Sequence, residues 1–215
     1  MKARSLSVAT GVAGGLIAAT TASADFTGVK VLSKPNPYGI FVCNVYATFN
    51  DPTDFVVGVT GTPANPISVA VTGGTFYQNI YGGDKAPVQA LINIYPSLAY
   101  DTFVTVGLKT STGDNTFVGP GWPGFGSSAL VSNNNYWWIP PGDSQGVPNA
   151  NGQVLIGQFS TINGTSIQGS FLVSWNDGGG PLVNTPASFI HAIPAPGGLL
   201  LLATAATLAR RRRRV

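Results

Sequence analysis

The stretch Phe41-Val42-Cys43-Asn44-Val45-Tyr46-Ala47-Thr48-Phe49 decides the fold class. Phe41, Cys43, Val45, Ala47 and Phe49 occupy every second position, and successive side chains of an extended strand point to opposite faces. One face of the segment is therefore apolar, which predicts a strand over about 38–50 with that face on a core. The same alternation returns further along the chain. Phe55, Val57 and Val59 predict the next strand, closed by Gly61-Thr62-Pro63, and Ile67, Val69 and Val71 predict another, closed by Gly73-Gly74. Val104, Val106 and Leu108 predict a strand over 102–109. Ile167, Phe171, Val173 and Trp175 line one face of 166–175, with Gly169 between them as the place for a bulge. Gln153–Ser160 alternates less cleanly, because Leu155 and Phe159 oppose Val154 and Ile156, and this predicts cover on both faces.

Turn residues separate these runs at the spacing of an all-β domain. No internal segment keeps a helical period. Ala86–Leu98 comes nearest, but Pro87, Asn93 and Pro96 interrupt it. The expected fold is all-β, a single antiparallel β-sandwich of jelly-roll-like or immunoglobulin-like type. The chain has 215 residues, the size of one ordinary domain. A body of this length buries roughly 70% of its unfolded surface, enough for one core without staples. The stretch 110–152, with Pro120, Pro123, Pro140, Pro141 and Pro148, reads as surface loops carrying short strands, and Asn133-Asn134-Asn135 reads as a turn.

Charge placement says more than the net of +3. Lys2 and Arg4 open the chain and Arg210, Arg211, Arg212, Arg213 and Arg214 nearly close it. Between them, Lys30, Lys34, Lys85 and Lys109 face eight Asp, so the body is acidic. It has no Arg and no basic patch to neutralise phosphates, which excludes nucleic acid as a partner. One Cys excludes a disulfide scaffold.

Both ends read as addresses. Residues 1–24 combine the cations Lys2 and Arg4, the apolar run Leu6–Ala19 and the small-residue site Ala22-Ser23-Ala24. This is the layout of a secretory signal peptide, with signal peptidase cutting before Asp25. Residues 193–215 carry Pro194, Ala195 and Pro196, then the apolar Leu199–Ala209, then the five arginines. Counted from Ala195, fifteen apolar-helix residues reach only about 22 Å, short of a ~30 Å hydrocarbon core. Such a span suits a transient inner-membrane anchor, with the arginines held on the cytoplasmic side.

This ending resembles the PEP-CTERM sorting signal, which joins a Pro-x-Pro motif, a short hydrophobic helix and a terminal Arg cluster. Ala195 stands where that signal usually has Glu. The resemblance implies an exported protein of a Gram-negative bacterium, processed by an exosortase-type membrane enzyme and associated with exopolysaccharide or biofilm. The block running from Phe76-Tyr77-Gln78-Asn79 through Gly82-Gly83-Asp84 to Pro96–Asp101 also resembles one in exported proteins with the same ending, whose function is unassigned.

The body offers several constellations to weigh. Gly142-Asp143-Ser144-Gln145-Gly146 matches G-x-S-x-G, and Asp177 and His191 follow in hydrolase order. Such an elbow needs a strand entering a helix, and Pro140, Pro141 and Pro148 leave no room for one, so the triad is rejected and no catalytic residue is expected. His191 is the only histidine, which excludes a His-rich zinc site. Cys43 reads as core filler. Asp51 and Asp54 flank Pro52-Thr53; the arrangement fits a turn capped by Asp and is a weak candidate for Ca²⁺, the one cofactor considered. Trp137 and Trp138 are adjacent, so on a strand only one enters the core easily. Either of them, or Trp122, could present a ring to the apolar face of a sugar.

The expected organisation is a signal peptide over 1–24, a β-sandwich over 25–192 and a sorting signal over 193–215. The expected role is a non-enzymatic structural or adhesive component of the cell surface or extracellular matrix. The alternatives are a carbohydrate-binding module for exopolysaccharide and, more remotely, a hydrolase.

Overall fold

The computed structural model of the chain describes residues 25–194. Ala22, Ala24, Ala195, Pro196, Arg210, Arg211, Arg212, Arg213 and Arg214 lie outside the described residues, as do the signal-peptide and sorting-helix segments.

The body is an antiparallel sandwich of two sheets. In chain order the strands are β1 (Phe26–Pro35), β2 (Phe41–Phe49), β3 (Asp54–Thr60), β4 (Ile67–Thr72), β5 (Thr75–Phe76), β6 (Phe103–Val104), β7 (Phe117–Val118), β8 (Ala129–Ser132), β9 (Tyr136–Trp138), β10 (Gln153–Ile162), β11 (Ser166–Asp177) and β12 (Val183–Ala192). The first sheet runs β1-β2-β10, with β5 and β6 both on the far edge of β10. The second is built around β11, which carries β12 along one edge. On its other edge β4 covers Ser166–Ser170 and β3 covers Leu172–Asp177.

That register shows β3 and β4 to be two halves of one rail, interrupted by residues 61–66. Thr62 and Asn65 close the interruption by exchanging backbone hydrogen bonds of 2.9 and 3.1 Å. Outside this rail lies a second, in which β9 pairs with β3 and β8 with β4, broken at Asn133-Asn134-Asn135. The triple asparagine is therefore an in-line excursion and not a reversal of the chain. The two breaks sit side by side, and the Gly61 N–H donates to the Asn135 carbonyl at 2.8 Å. The same device recurs in the first sheet, where residues 77–102 leave between β5 and β6.

The core fills the space between the sheets. From β2 it takes Cys43, Val45, Ala47 and Phe49, and opposite them stand Val57, Val59, Val69, Ile167, Phe171 and Val173. β10 is buried from Gln153 to Thr161, as its two-faced apolar pattern predicts. At the centre is Trp137, fully buried, whose indole N–H donates to the Ile156 carbonyl at 3.0 Å and to that of Thr105 at 3.2 Å. One side chain thus ties the second sheet to the first. Truncating a buried aromatic of this kind costs about 3–5 kcal/mol. At one side of the sandwich, Ser33 on β1 and Nε2 of His191 on β12 share a 2.6 Å hydrogen bond between the two sheet edges.

Several expectations need correction. The strand foreseen over 102–109 shrinks to Phe103–Val104: the Thr105 and Gly107 N–H groups still reach the Ile156 and Leu155 carbonyls of β10 at 3.4 and 2.7 Å, but Gly107 takes a positive φ of 84° and ends the extended run. Gly169 forms no bulge. It pairs in register with both Val69 and Phe189, and a Cβ there would meet the Phe189 ring at 2.5 Å. The missing side chain makes room for an aromatic, and the register shift falls instead between Ser174 and Trp175. The interrupted stretch Ala86–Leu98 holds a six-residue helix, α1 (Gln89–Ile94), followed by a 3-10 turn at Pro96–Tyr100. Among the described residues, no helix is long and apolar enough to cross a membrane.

Candidate functional site

The outer face of the second sheet carries the most distinctive surface. Alternation along β9 sends Trp137 inward and leaves Tyr136 and Trp138 outward, 38% and 37% exposed. Strand register then builds a row across the sheet. Phe117 pairs with Trp138, Trp138 with Gly58, Gly58 with Ser174 and Ser174 with Asn184. Register partners share a face, so an aromatic pair stands at one end of the row and two polar groups at the other. The rings of Phe117 and Trp138 lie 5.7 Å apart, tilted by 34°. The Ser174 hydroxyl donates to Asn184 Oδ1 at 2.6 Å.

Between them the floor is Gly58. A Cβ there would collide with the Trp137 carbonyl oxygen and come within 2.8 Å of the Trp138 Cα. The absent side chain leaves a shallow cleft of about 380 Å³, walled by Tyr136, Trp138 and Leu182 and edged by Thr60, Ser174 and Asn184. An apolar wall with a few convergent hydroxyl and amide groups is the composition of a small-molecule site. A tryptophan face beside hydrogen-bonding groups suits a ligand with one apolar face and a polar rim.

The three tryptophans singled out in sequence therefore part company. Trp138 alone offers a face. Trp137 is fully buried and its ring is spent on the core. Trp122 is half-buried, its ring 5.9 Å from that of Trp137 in an edge-on contact, with its indole nitrogen shielded and unpartnered. Tyr136 belongs to the aromatic run Tyr136-Trp137-Trp138 that stands out in the sequence, whereas Phe117, Gly58, Ser174 and Asn184 are brought to the site by strand register alone.

Asp51 and Asp54 behave differently from one another. Asp51 Oδ1 accepts from the Thr53 N–H at 2.8 Å and from its hydroxyl at 2.7 Å, the turn arrangement, and these bonds hold the Asp51 carboxyl below the usual carboxylate range. Asp54 is fully buried, and neither carboxylate oxygen has a hydrogen-bond partner. Burial pushes it up to about 6, with the negative charge of Asp51 adding to the shift. Among the described residues, no three Asp, His or Cys side chains converge as a ready metal-ligand set.

The serine triad is not assembled. Asp177 pairs with Asp54 at one end of β11, whereas His191 pairs with Ile167 at the other. Ten residues of strand put them ~33 Å apart. Ser144 begins a 3-10 turn capped by Asp143, whose Oδ1 accepts from the Gln145 N–H at 3.1 Å. Cys43 is fully enclosed, and burial drives its thiol up to about 12. Asp25 and Pro194 stand exposed at the two limits of the described residues.

Comparison with protein-family models, with curated proteins and with solved structures gives no match.

Proposed function

We propose that the domain works outside the cytoplasm as a non-enzymatic adhesive protein of the cell surface or matrix, and that it holds polysaccharide on the outer face of its second sheet. The observation that carries this reading is the half-exposed Trp138, set beside Gly58, Ser174 and Asn184 in an open cleft. A pyranose ring laid on the indole would present its axial hydrogens to the aromatic face and its hydroxyls to Thr60, Ser174 and Asn184. The open ends of the cleft suit a polymer threaded across the sheet better than a small molecule enclosed in it.

The ends support the same location. The signal peptide over 1–24 would direct export, and signal peptidase would then cut before Asp25. The segment with Pro194, Ala195, Pro196 and the arginine cluster would insert transiently in the inner membrane for an exosortase-type enzyme. The acidic body has no complement to nucleic acid, and neutral or basic exopolysaccharide fits its charge.

The test is affinity electrophoresis of the full chain through gels containing exopolysaccharide from the producing cells. Trp138→Ala should weaken retardation at least tenfold, about 1.4 kcal/mol of binding, and Tyr136→Ala should weaken it less. Ile190→Ala, which changes an exposed side chain on β12, should leave retardation unchanged. Equal retardation of wild type and Trp138→Ala would reject the site.

A further inference from the structure

A groove of about 450 Å³ lies at one end of the sandwich, between the turn that joins β1 to β2 and the turn that joins β10 to β11. Pro35 and Ile40 line it from the first turn, and Thr165 lines it from the second. Phe41, which packs against the core, reaches it as well. Among the described residues, no charged side chain lines the groove. Asn36 at its edge has one unmet need. Its Oδ1 accepts the Tyr38 and Ile40 N–H groups at 2.9 and 3.2 Å, while its Nδ2 has no hydrogen-bond partner. Ile193 and Pro194 complete the lining. The Ile193 N–H donates to the Thr165 carbonyl at 2.9 Å, which fixes the end of the described chain against the groove.

The sequence continues from Pro194 as Ala195-Pro196-Gly197-Gly198-Leu199-Leu200-Leu201-Leu202. The chain therefore departs from the groove's own wall. Pro196-Gly197 is the pair that a type II turn takes at its centre, and such a turn sends the residues after it back beside those before it. Five residues of chain from Pro194 to Leu199 extend at most ~17 Å, so the leucines stay close to the groove. A tether this short holds them there at a local concentration on the order of millimolar. A separate partner or a second copy would instead lose its translational and rotational freedom on binding. Four consecutive leucines are also unfavourable in water. We propose that, before its C-terminal segment is removed, the chain folds Leu199–Leu202 back into this groove and shelters them there until a bilayer takes them. A backbone carbonyl of the returning segment would accept the spare Asn36 donor. Groove and hydrocarbon both remove leucine from water, so transfer between them is nearly balanced, and the groove works as a holding place and not a trap. Removal of the segment leaves the groove open. This device is separate from the Trp138 cleft, and either can fail without the other.

The test is disulfide trapping in the full chain, in buffer without detergent. Cys43 is fully enclosed and stays silent. Pro35→Cys on one side of the groove, or Thr165→Cys on the other, is combined with Leu200→Cys and exposed to oxidised glutathione. Each pair should close within one chain roughly tenfold faster than Ala150→Cys with Leu200→Cys, because Ala150 is exposed beyond the far end of β10. Nearness to the tether alone would also favour the groove pairs, so Leu199, Leu201 and Leu202 are next replaced by Ser. The tether is then unchanged, and closure of the groove pairs should slow by roughly tenfold. Vesicles of neutral phospholipid should slow the leucine-bearing pairs to a similar degree. Groove pairs no faster than the remote pair, a rate that survives the serine replacements or the vesicles, or disulfides that join two chains would each overturn the proposal. If Thr165→Cys does not fold, Pro35→Cys decides by the same criteria.

Discussion

At the scale of single residues, the second sheet depends on what Gly58 lacks. Any side chain there meets backbone atoms of β9, which cannot rotate away. Gly58→Ala should lower stability by about 1–3 kcal/mol through overpacking and should also fill the cleft floor. Gly83→Ala, where a Cβ meets nothing within 4 Å, should stay within about 0.5 kcal/mol. Urea unfolding midpoints of the two variants check the contrast. Position 58 also shows the limit of reading residues in order. Alternation of Phe55, Val57 and Val59 makes the strand legible, and it says that only one of Trp137 and Trp138 enters the core easily. It does not say which, because that depends on the register with β3, set by partners eighty residues away in sequence.

At the scale of elements, the clearest unit is the excursion 77–102. Its neck is a carboxylate clasp. Asp101 is fully buried, and its two oxygens accept the Asn79 N–H at 2.7 Å and the Gly83 N–H at 3.2 Å. The Asn79 amide reaches the Tyr77 and Ser97 hydroxyls at 3.0 and 3.1 Å, and the Thr102 N–H closes onto the Tyr77 carbonyl. The block from Phe76 to Asp101 is thus one folded piece. Burial nevertheless outweighs these bonds and pushes Asp101 up to about 6, with Asp84 adding to the shift. A carboxyl that holds its proton more tightly when folded stabilises the fold below its unfolded pKa, and that contribution fades as pH rises through the folded value. Stability should therefore fall between about pH 4 and pH 6.5, by up to roughly 3 kcal/mol from this group. Asp101→Asn should flatten part of that slope in urea midpoints taken across the range. It should also lower stability above it, because an amide nitrogen faces an N–H where an oxygen accepted one. Other elements were less legible. β12 contains Pro186, which argues against a strand in mid-sheet, yet β12 pairs only with β11, and an edge strand tolerates a missing donor. α1 escaped a period search because it ends after six residues at the approach to Pro96.

At the scale of the whole molecule, the sandwich was legible because several alternating runs had to share one core. Its pairing order was not, since each rail is assembled from strands separated by excursions that carry no local signal. The addresses at the two ends rest on sequence alone and predict a specific product. Mature protein from the producing cell should begin at Asp25 and lack Arg210–Arg214, and intact mass spectrometry of the surface or secreted fraction checks both ends. A mass that includes the arginine cluster would show that the terminal segment is retained, and the reading of it as a processing signal would be withdrawn.

The three broken rails have an evolutionary consequence. A detour that leaves a ladder and rejoins it in line changes neither the strand order nor the facing of any side chain beyond it. Its length is therefore almost free: each doubling adds only about 0.6 kcal/mol of closure entropy. The breaks already span three residues at Asn133–Asn135 and twenty-six at 77–102. Descendants of this scaffold can lengthen or exchange what hangs from those gaps, and a bioengineer can splice a foreign epitope there, without renegotiating the architecture.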